Sequence, residues 1–509
     1  MSDPTSTPRA LPPYAAAALV FGSSAAVLVL EITSLRLIAP YVGITLETNT
    51  AVIGFALAAI ALGAWAGGRV ADLRDPRRLI GPLLLAGGAL VLLITPTVRF
   101  VAEAVGPSAA ASVALLLAAV TVFAPAALLS AVPPMVVKLQ LASLSETGSV
   151  VGRLSGISTL GAIVATFLTG FVLVALIPTS VILLGTGGLL AAAGIATTLA
   201  SRGSGMTGGA GTTKSRTAGL LVLVIVAAGL GVLAPQSCDT ETRYHCASVV
   251  ADPERDSGRL LILDTLRHSY IDLNDPTHLE FAYARAMAAA LDVQAAPGAP
   301  LSALHVGGGG MTLPRYLLET RPAGVNRVVE VDPGVVAVDR ERLALPEAEG
   351  LQVTVGDGRV QLALAATDSA DVVIGDAFGG VAVPWHLTTR EAVTDVSRIL
   401  VPDGLYALNV IDHAPLAFAR AEIATLASVF EHVLVISPTG SLVGDSGGNI
   451  VVLASDRPID SVAIEAGLRD RGTPMSMVDE VELQAFLGPD PLILTDDFAP
   501  VDQLLTPFG

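Results

Sequence analysis

The chain has 509 residues, of which 52% are hydrophobic and only 15% charged, and its mean hydropathy is +0.66. That composition excludes a protein that is soluble throughout and calls for bilayer-crossing segments. Residues 1–236 carry 12 Lys and Arg against 7 Asp and Glu (net +5), whereas 237–509 carry 17 Arg, no Lys and 39 acidic residues (net −22). So acidic a second half repels phosphate backbones and anionic headgroups, which excludes nucleic acid as its ligand and favours a cationic or zwitterionic partner.

A bilayer span takes roughly 20 mostly apolar residues, and seven such stretches occur, near 14–37, 48–68, 79–97, 110–131, 154–177, 180–200 and 217–234. The first is too long, and runs too directly into further spans, to be a cleaved signal peptide. Arg69, Arg74, Arg77 and Arg78 follow the second span, Lys138 and Arg153 the fourth, and Arg202, Lys214 and Arg216 the sixth. Positive loops stay in the cytoplasm, which puts the N-terminus inside and makes this a multi-pass cell-membrane protein with the lipid bilayer as a partner. The segment from Gly68 to Arg78 is similar to a cytoplasmic loop signature of major facilitator transporters.

Glu31 lies among Leu and Val in the first span. It is either a functional intramembrane carboxylate or a neutral one hydrogen-bonded to a neighbouring helix. Arg36 is expected to reach for the interface, and the Gly- and Ser-rich run at 152–170 suggests close helix packing. Residues 201–217 read as a flexible Gly/Ser/Thr loop. Cys238 and Cys246 then stand eight residues apart, as a disulfide or as two idle thiols, with no spacing that suggests a metal site.

Two β-rich runs, TRYHCASVVAD and RLLILDTLRHSYIDL, flank the turn-like PERDSG and predict a small antiparallel domain. After a helix-like stretch over 278–293, strands and helices alternate, with strands SALHV, NRVVEV, LQVTV and DVVIG. This predicts a parallel, doubly wound Rossmann-like sheet. Candidate ligand groups fall at the carboxyl ends of those strands. Gly307, Gly308, Gly309 and Gly310 allow close backbone approach to a nucleoside. Glu330 stands 23 residues after Gly307, the position from which an acid takes ribose hydroxyls. Asp357 is placed to read an adenine amino group, and Asp376 faces the point where a reactive carbon would lie. Singly, each has a structural reading, a tight turn or a helix cap; four in register point to a nucleoside site.

This succession resembles the spermidine synthase family of aminopropyltransferases over roughly residues 237–455, through LILD ending at Asp264, EFAY (Glu280, Phe281, Tyr283), HVGGG, VVEVD with Glu330, VGDG with Asp357 and Gly358, and Asp376. The whole layout resembles bacterial proteins that fuse a transporter-like bundle to such a domain, and TDDFAPVDQLL is similar to their tail. The resemblance implies a polytopic helical membrane domain (1–236), a small β-rich domain with a connecting helix (237–290) and a class I methyltransferase-like domain (291–509). It further implies decarboxylated S-adenosylmethionine as co-substrate, no permanently bound cofactor or metal, and a polyamine substrate such as putrescine. Asp376 would be the base. Gly307, Gly308, Gly309, Glu330, Asp357, Gly358 and His268 would hold the donor, and Glu280, Tyr283 and Asp264 the amine. A homo-oligomer is compatible with the family.

The chain departs from the family pattern at Gly310 and Gly379, where the family carries acids, at His268, where it has glutamine, and at Ala284, where it has histidine. Each lost charge-assisted contact is worth about 1.5–3 kcal/mol, which weakens the expectation of putrescine. Two alternatives therefore stand beside an aminopropyltransferase: a methyltransferase using S-adenosylmethionine, and a transporter or sensor that binds a polyamine or nucleoside without turnover. The side of the soluble domain also stays open. Seven spans place it outside; an even number returns it to the cytoplasm, where such a donor is made.

Overall fold

The computed structural model describes residues 11–42, 46–105, 116–117, 119–141, 143–202, 210–234, 238–264, 266–438, 440–443 and 447–506. The chain divides into two compact units, Met1–Arg243 and Tyr244–Gly509. Cys238 and Cys246 are joined by a disulfide.

In the first unit, six helices are long and apolar enough to cross a membrane: Pro13–Ile38, Asn49–Leu73, Arg77–Val101, Ala119–Gln140, Thr147–Leu176 and Thr179–Ser201. A further helix, Ala210–Leu233, has a shorter apolar stretch, Ala218–Leu233. Of the expected span near 110–131, residues 110–115 and 118 lie outside the described residues; its described part runs on to Gln140, with a break between Ser130 and Val132. Pro133 and Pro134 follow that break, and neither can donate a helical hydrogen bond. The loop expected over 201–217 is shorter than anticipated, because helix begins again at Ala210; residues 203–209 lie outside the described residues. The first residues of this helix, AGTTKSRT, are weak helix formers, and the long apolar run that follows carries the helix back into them. Glu31 lies part-buried in the helix Pro13–Val42, and Arg36 donates to the carbonyl of Thr242 at 3.2 Å.

The second unit opens with antiparallel strands β1 (Cys246–Asp252), β2 (Arg255–Leu263) and β3 (Leu266–Asp272). The long second β run divides at Asp264, which takes a left-handed φ of 60° and donates its N–H to the carbonyl of Cys246 at 2.8 Å. The helix expected over 278–293 is confined to Ala282–Asp292, with Phe281 still extended.

An eight-stranded sheet follows, containing β4 (Ser302–Val306), β5 (Val325–Glu330), β6 (Leu351–Val355), β7 (Ala370–Gly375), β8 (Leu400–His413), β9 (His432–Ser437), β10 (Gly447–Ser455) and β11 (Ser476–Met477). Its spatial order is β11-β9-β10-β8-β7-β4-β5-β6. Strands β4 to β8 run parallel, whereas β10 pairs antiparallel with β8 and with β9. The four parallel strands expected from the sequence are present; the antiparallel extension beyond β8 is additional. Val372, Val373, Ala407, Val451 and Val452 at the sheet's centre are inaccessible to solvent, as strands covered on both faces must be. Strand order reverses between β4 and β7, and such a reversal leaves a crevice outside the carboxyl ends of the strands. Open α/β sheets bind ligands at such a switch point.

Candidate active site

Chain geometry forces glycine at the crevice. Gly307 leaves β4 with φ 98°, and a Cβ there would lie 2.3 Å from the carbonyl oxygen of Asp376 at the end of β7. The two strand ends are held together by the Asp376 N–H donating to the Val306 carbonyl at 2.9 Å. The Gly307 backbone thus passes directly over the residue expected to do chemistry.

Glu330 ends β5 beneath this loop, and it is 8% exposed. Its Oε2 accepts from the N–H groups of Gly308 at 2.9 Å and Gly309 at 3.2 Å, and its Oε1 from Asp332 at 2.9 Å. The acid therefore shapes the glycine loop as well as lying at the position expected to meet a ribose. His268, on β3, packs against the same loop: a Cβ on Gly309 would fall 2.7 Å from its Cε1. Burial, reinforced by the neighbouring His245, lowers the His268 pKa to about 4, so the ring is neutral.

Asp357 follows β6 and caps the helix Gly358–Leu364 by accepting from the Val360 N–H at 3.0 Å. Its other oxygen lies 3.4 Å from His386 Nε2. The structural role of a helix cap and an exposed carboxylate beside the crevice coexist in one residue.

At Asp376 the two oxygens have different partners. Oδ1 accepts from Asn409 Nδ2 at 2.9 Å, and Oδ2 from the Tyr283 hydroxyl at 3.2 Å. Burial raises the pKa to about 6, while those two hydrogen bonds pull it back down. The same burial, with the carboxylate beside it, drives the Tyr283 pKa well above its usual value, so the phenol stays protonated and donating. Asn409 comes from β8 and is 2% exposed; Asn449 on β10 donates to its Oδ1 at 3.1 Å. Sequence reasoning passed over both asparagines. Asn409 sits within an apolar run on a buried strand, and a polar residue there that needs a partner is the signal that marks it, whereas Asn449 follows two glycines at the part-buried start of β10 and carries no such signal.

The residues expected at the amine end are not brought together in the same way. Tyr283 reaches Asp376. Glu280 is exposed and pairs with His278 at 3.3 Å. Asp264 accepts from His245 Nδ1 at 2.9 Å and from the Cys246 N–H at 3.0 Å. Burial opposes a charge on His245, but Asp264, Asp332 and Glu330 outweigh it and raise its pKa. The two glycines that replace family acids differ as well. A Cβ on Gly310 would lie 2.4 Å from Ile271 Cδ1 and 2.9 Å from Ser269 Cβ, whereas one on Gly379 meets nothing within 4 Å. Space for a longer side chain has been filled at the first position and left open at the second.

Fold and crevice together define a doubly wound α/β domain of the class I methyltransferase type, with a carboxylate at its switch point. The chain is 32% identical over 142 residues to the polyamine aminopropyltransferase of Chromobacterium violaceum, a match spanning 28% of this chain and 53% of that protein. It is 26% identical over 219 residues to the polyamine aminopropyltransferase of Vibrio vulnificus, spanning 40% of this chain and 70% of that protein. A probable spermidine synthase of known structure from Corynebacterium glutamicum is 31% identical and aligns with 52% of this chain and 98% of its own length, at a TM-score of 0.47. No family model matches the chain. These relatives are similar to the chain over parts of its second unit. The chain spans about half the length of the Chromobacterium enzyme.

Proposed function

We propose that this protein is a membrane-anchored aminopropyltransferase, transferring the aminopropyl group of decarboxylated S-adenosylmethionine to an amine. The observation that carries this reading is Asp376, a carboxylate at the switch point with both oxygens fixed by Asn409 and Tyr283. In the reaction the amine nitrogen bonds to the propyl carbon, the carbon–sulfur bond breaks, and its electron pair leaves on sulfur as methylthioadenosine. The proton of the incoming ammonium passes to Asp376. A free amine of pKa about 10 is protonated at neutral pH, and against an ordinary carboxylate the transfer is uphill by about six pK units. Raising Asp376 to about 6 narrows that gap by about two units, or about 3 kcal/mol.

The Gly307–Gly309 loop, Glu330, Asp357, Gly358 and His268 form the donor side. Ribose hydroxyls would exchange for part of the N–H set that Glu330 now accepts. On the amine side Tyr283 is the residue tied to the base, and the absence of acids at Gly310 and Gly379 favours acceptors other than putrescine. The test is methylthioadenosine release from decarboxylated donor across an amine panel, with Asp376→Asn as control. No release with any amine, or unchanged release by the variant, refutes the proposal. Methyl transfer from intact S-adenosylmethionine would replace it with a methyltransferase.

A further inference from the structure

Asp376 stands one residue past the end of β7, where Gly375 pairs in parallel with Leu408 of β8, and this register brings Asn409 alongside it. At its other edge β8 pairs antiparallel with β10, Asn409 lying opposite Val451 and Ile411 opposite Asn449. Successive side chains of a strand alternate between faces, so Asn449, two residues before Val451, shares the face of Asn409 as its diagonal neighbour. Two glycines hold that register. A Cβ on Gly447 would lie 2.6 Å from His413 Cδ2, and Gly448 takes a φ of 108°. The outcome is a row of three side chains: Asn449 Nδ2 donates to Asn409 Oδ1 at 3.1 Å, and Asn409 Nδ2 donates to Asp376 Oδ1 at 2.9 Å.

A carboxamide has a donor end and an acceptor end of nearly equal size, and turning it over changes little in packing. Asn409 is buried, so both ends need partners in the protein. An ionised Asp376 attracts the donor end. A protonated Asp376 carries an O–H of its own and is served as well by the acceptor end. A hydrogen bond to the charged form favours ionisation, and one to the neutral form opposes it; the orientation of this one amide therefore decides which way Asn409 acts. Asn449 biases that choice, because a turned Asn409 would set its NH2 against that of Asn449, and both amides would have to turn together. On the other carboxylate oxygen, Tyr283 is the titratable group that faces Asp376, and its phenol stays protonated. No charged side chain among the described residues acts on Asp376.

We propose that Asn449 is a positioning residue for the base: its N–H fixes Asn409 with the donor end on Asp376 and so selects the carboxylate over the acid. This rests on the reading of Asp376 as the group that takes the proton of the ammonium. Without Asn449 the buried carbonyl of Asn409 loses its donor, and a protonated Asp376 can supply one.

The full chain in detergent is titrated by difference infrared spectroscopy, in which the carboxyl band lost in Asp376→Asn reports ionisation without turnover, and methylthioadenosine release is measured over the same pH range. For Asn449→Leu the expected result is a midpoint about one unit above that of the wild type in both measurements. Its kcat/KM should fall about tenfold on the acidic limb and recover at alkaline pH. Asn449→Asp keeps the shape and turns the donor into an acceptor, so it should raise the midpoint at least as far even if leucine disturbs packing at the start of β10. In an Asn409→Leu background, Asn449→Leu should add no further shift. An infrared midpoint that stays in place in both Asn449 variants overturns the inference, as does an Asn449→Leu shift of the same size with and without Asn409. Absence of release in the wild type, with the infrared shift as expected, refutes aminopropyl transfer and leaves the positioning of Asp376 by Asn449 supported.

Discussion

Replacing Asn409 with leucine tests how the proposed base is set. Asn409 donates one of the two hydrogen bonds that hold the Asp376 pKa down against burial, at 2.9 Å. Leucine keeps much of the volume and removes the donor. A hydrogen bond to a charged group is worth about 1.5–3 kcal/mol, or about one to two pK units, so Asp376 should move from about 6 to between about 7 and 8. At pH 7 the ionised fraction would fall from about nine-tenths to between about a half and a tenth. The assay is the pH dependence of kcat/KM for methylthioadenosine release, which reports the base of the free enzyme. Activity requires the ionised carboxylate, so it should rise with pH through about 6 in the wild type and through a midpoint about one to two units higher in Asn409→Leu, with recovery at alkaline pH. A variant whose acidic limb stays in place while the rate falls at every pH would refute the reasoning, because Asn409 would then act on packing alone.

Three further outcomes are expected. Gly307→Ala places a Cβ 2.3 Å from the Asp376 carbonyl at a φ of 98°; it should cost about 2 kcal/mol or more of stability and abolish nucleoside binding, by melting temperature and equilibrium dialysis. Glu422 is fully buried in the helix Ala417–Ala427 with both oxygens unpartnered among the described residues, and burial raises its pKa well above the usual value. Its protonated form is the one the fold accepts, so stability should be highest below the unfolded pKa and fall as pH rises from there toward the folded one. Glu422→Gln should flatten that slope and melt higher than wild type at neutral pH; an unchanged pH profile would show that the carboxyl is not the cause. Finally, the Cys238–Cys246 disulfide calls for the oxidising side of the membrane, where disulfides persist, as an N-terminus inside and an odd number of spans would give. An impermeant maleimide should label intact cells only after reduction. Labelling confined to permeabilised cells would place the second unit in the cytoplasm, and labelling outside would require the donor to be delivered there.

The sequence by itself determined the apolar, helical character of the first unit, the parallel strands and the acids at their ends. These are local properties: a run of apolar residues or a strand–glycine–helix alternation carries its meaning within about 20 residues. Glu330, Asp357 and Asp376 could be named because a doubly wound sheet turns chain order into position, sending every parallel strand's carboxyl end to one edge. Only the tertiary structure decided what those acids touch. Asn409 and Asn449 lie 33 and 73 residues beyond Asp376, on strands inserted beside it by the sheet order, and no local pattern joins them to it. The same holds at the amine end, where Ile271 and Ser269 on β3 fill the space beside Gly310, while Glu280 and Asp264 take partners other than the base. In the first unit, Arg99 and Glu241, which pair at 3.3 Å, are 142 residues apart. Periodicity fixes which face a residue takes; distance between faces is set by packing, and the surroundings of the base depend on that distance.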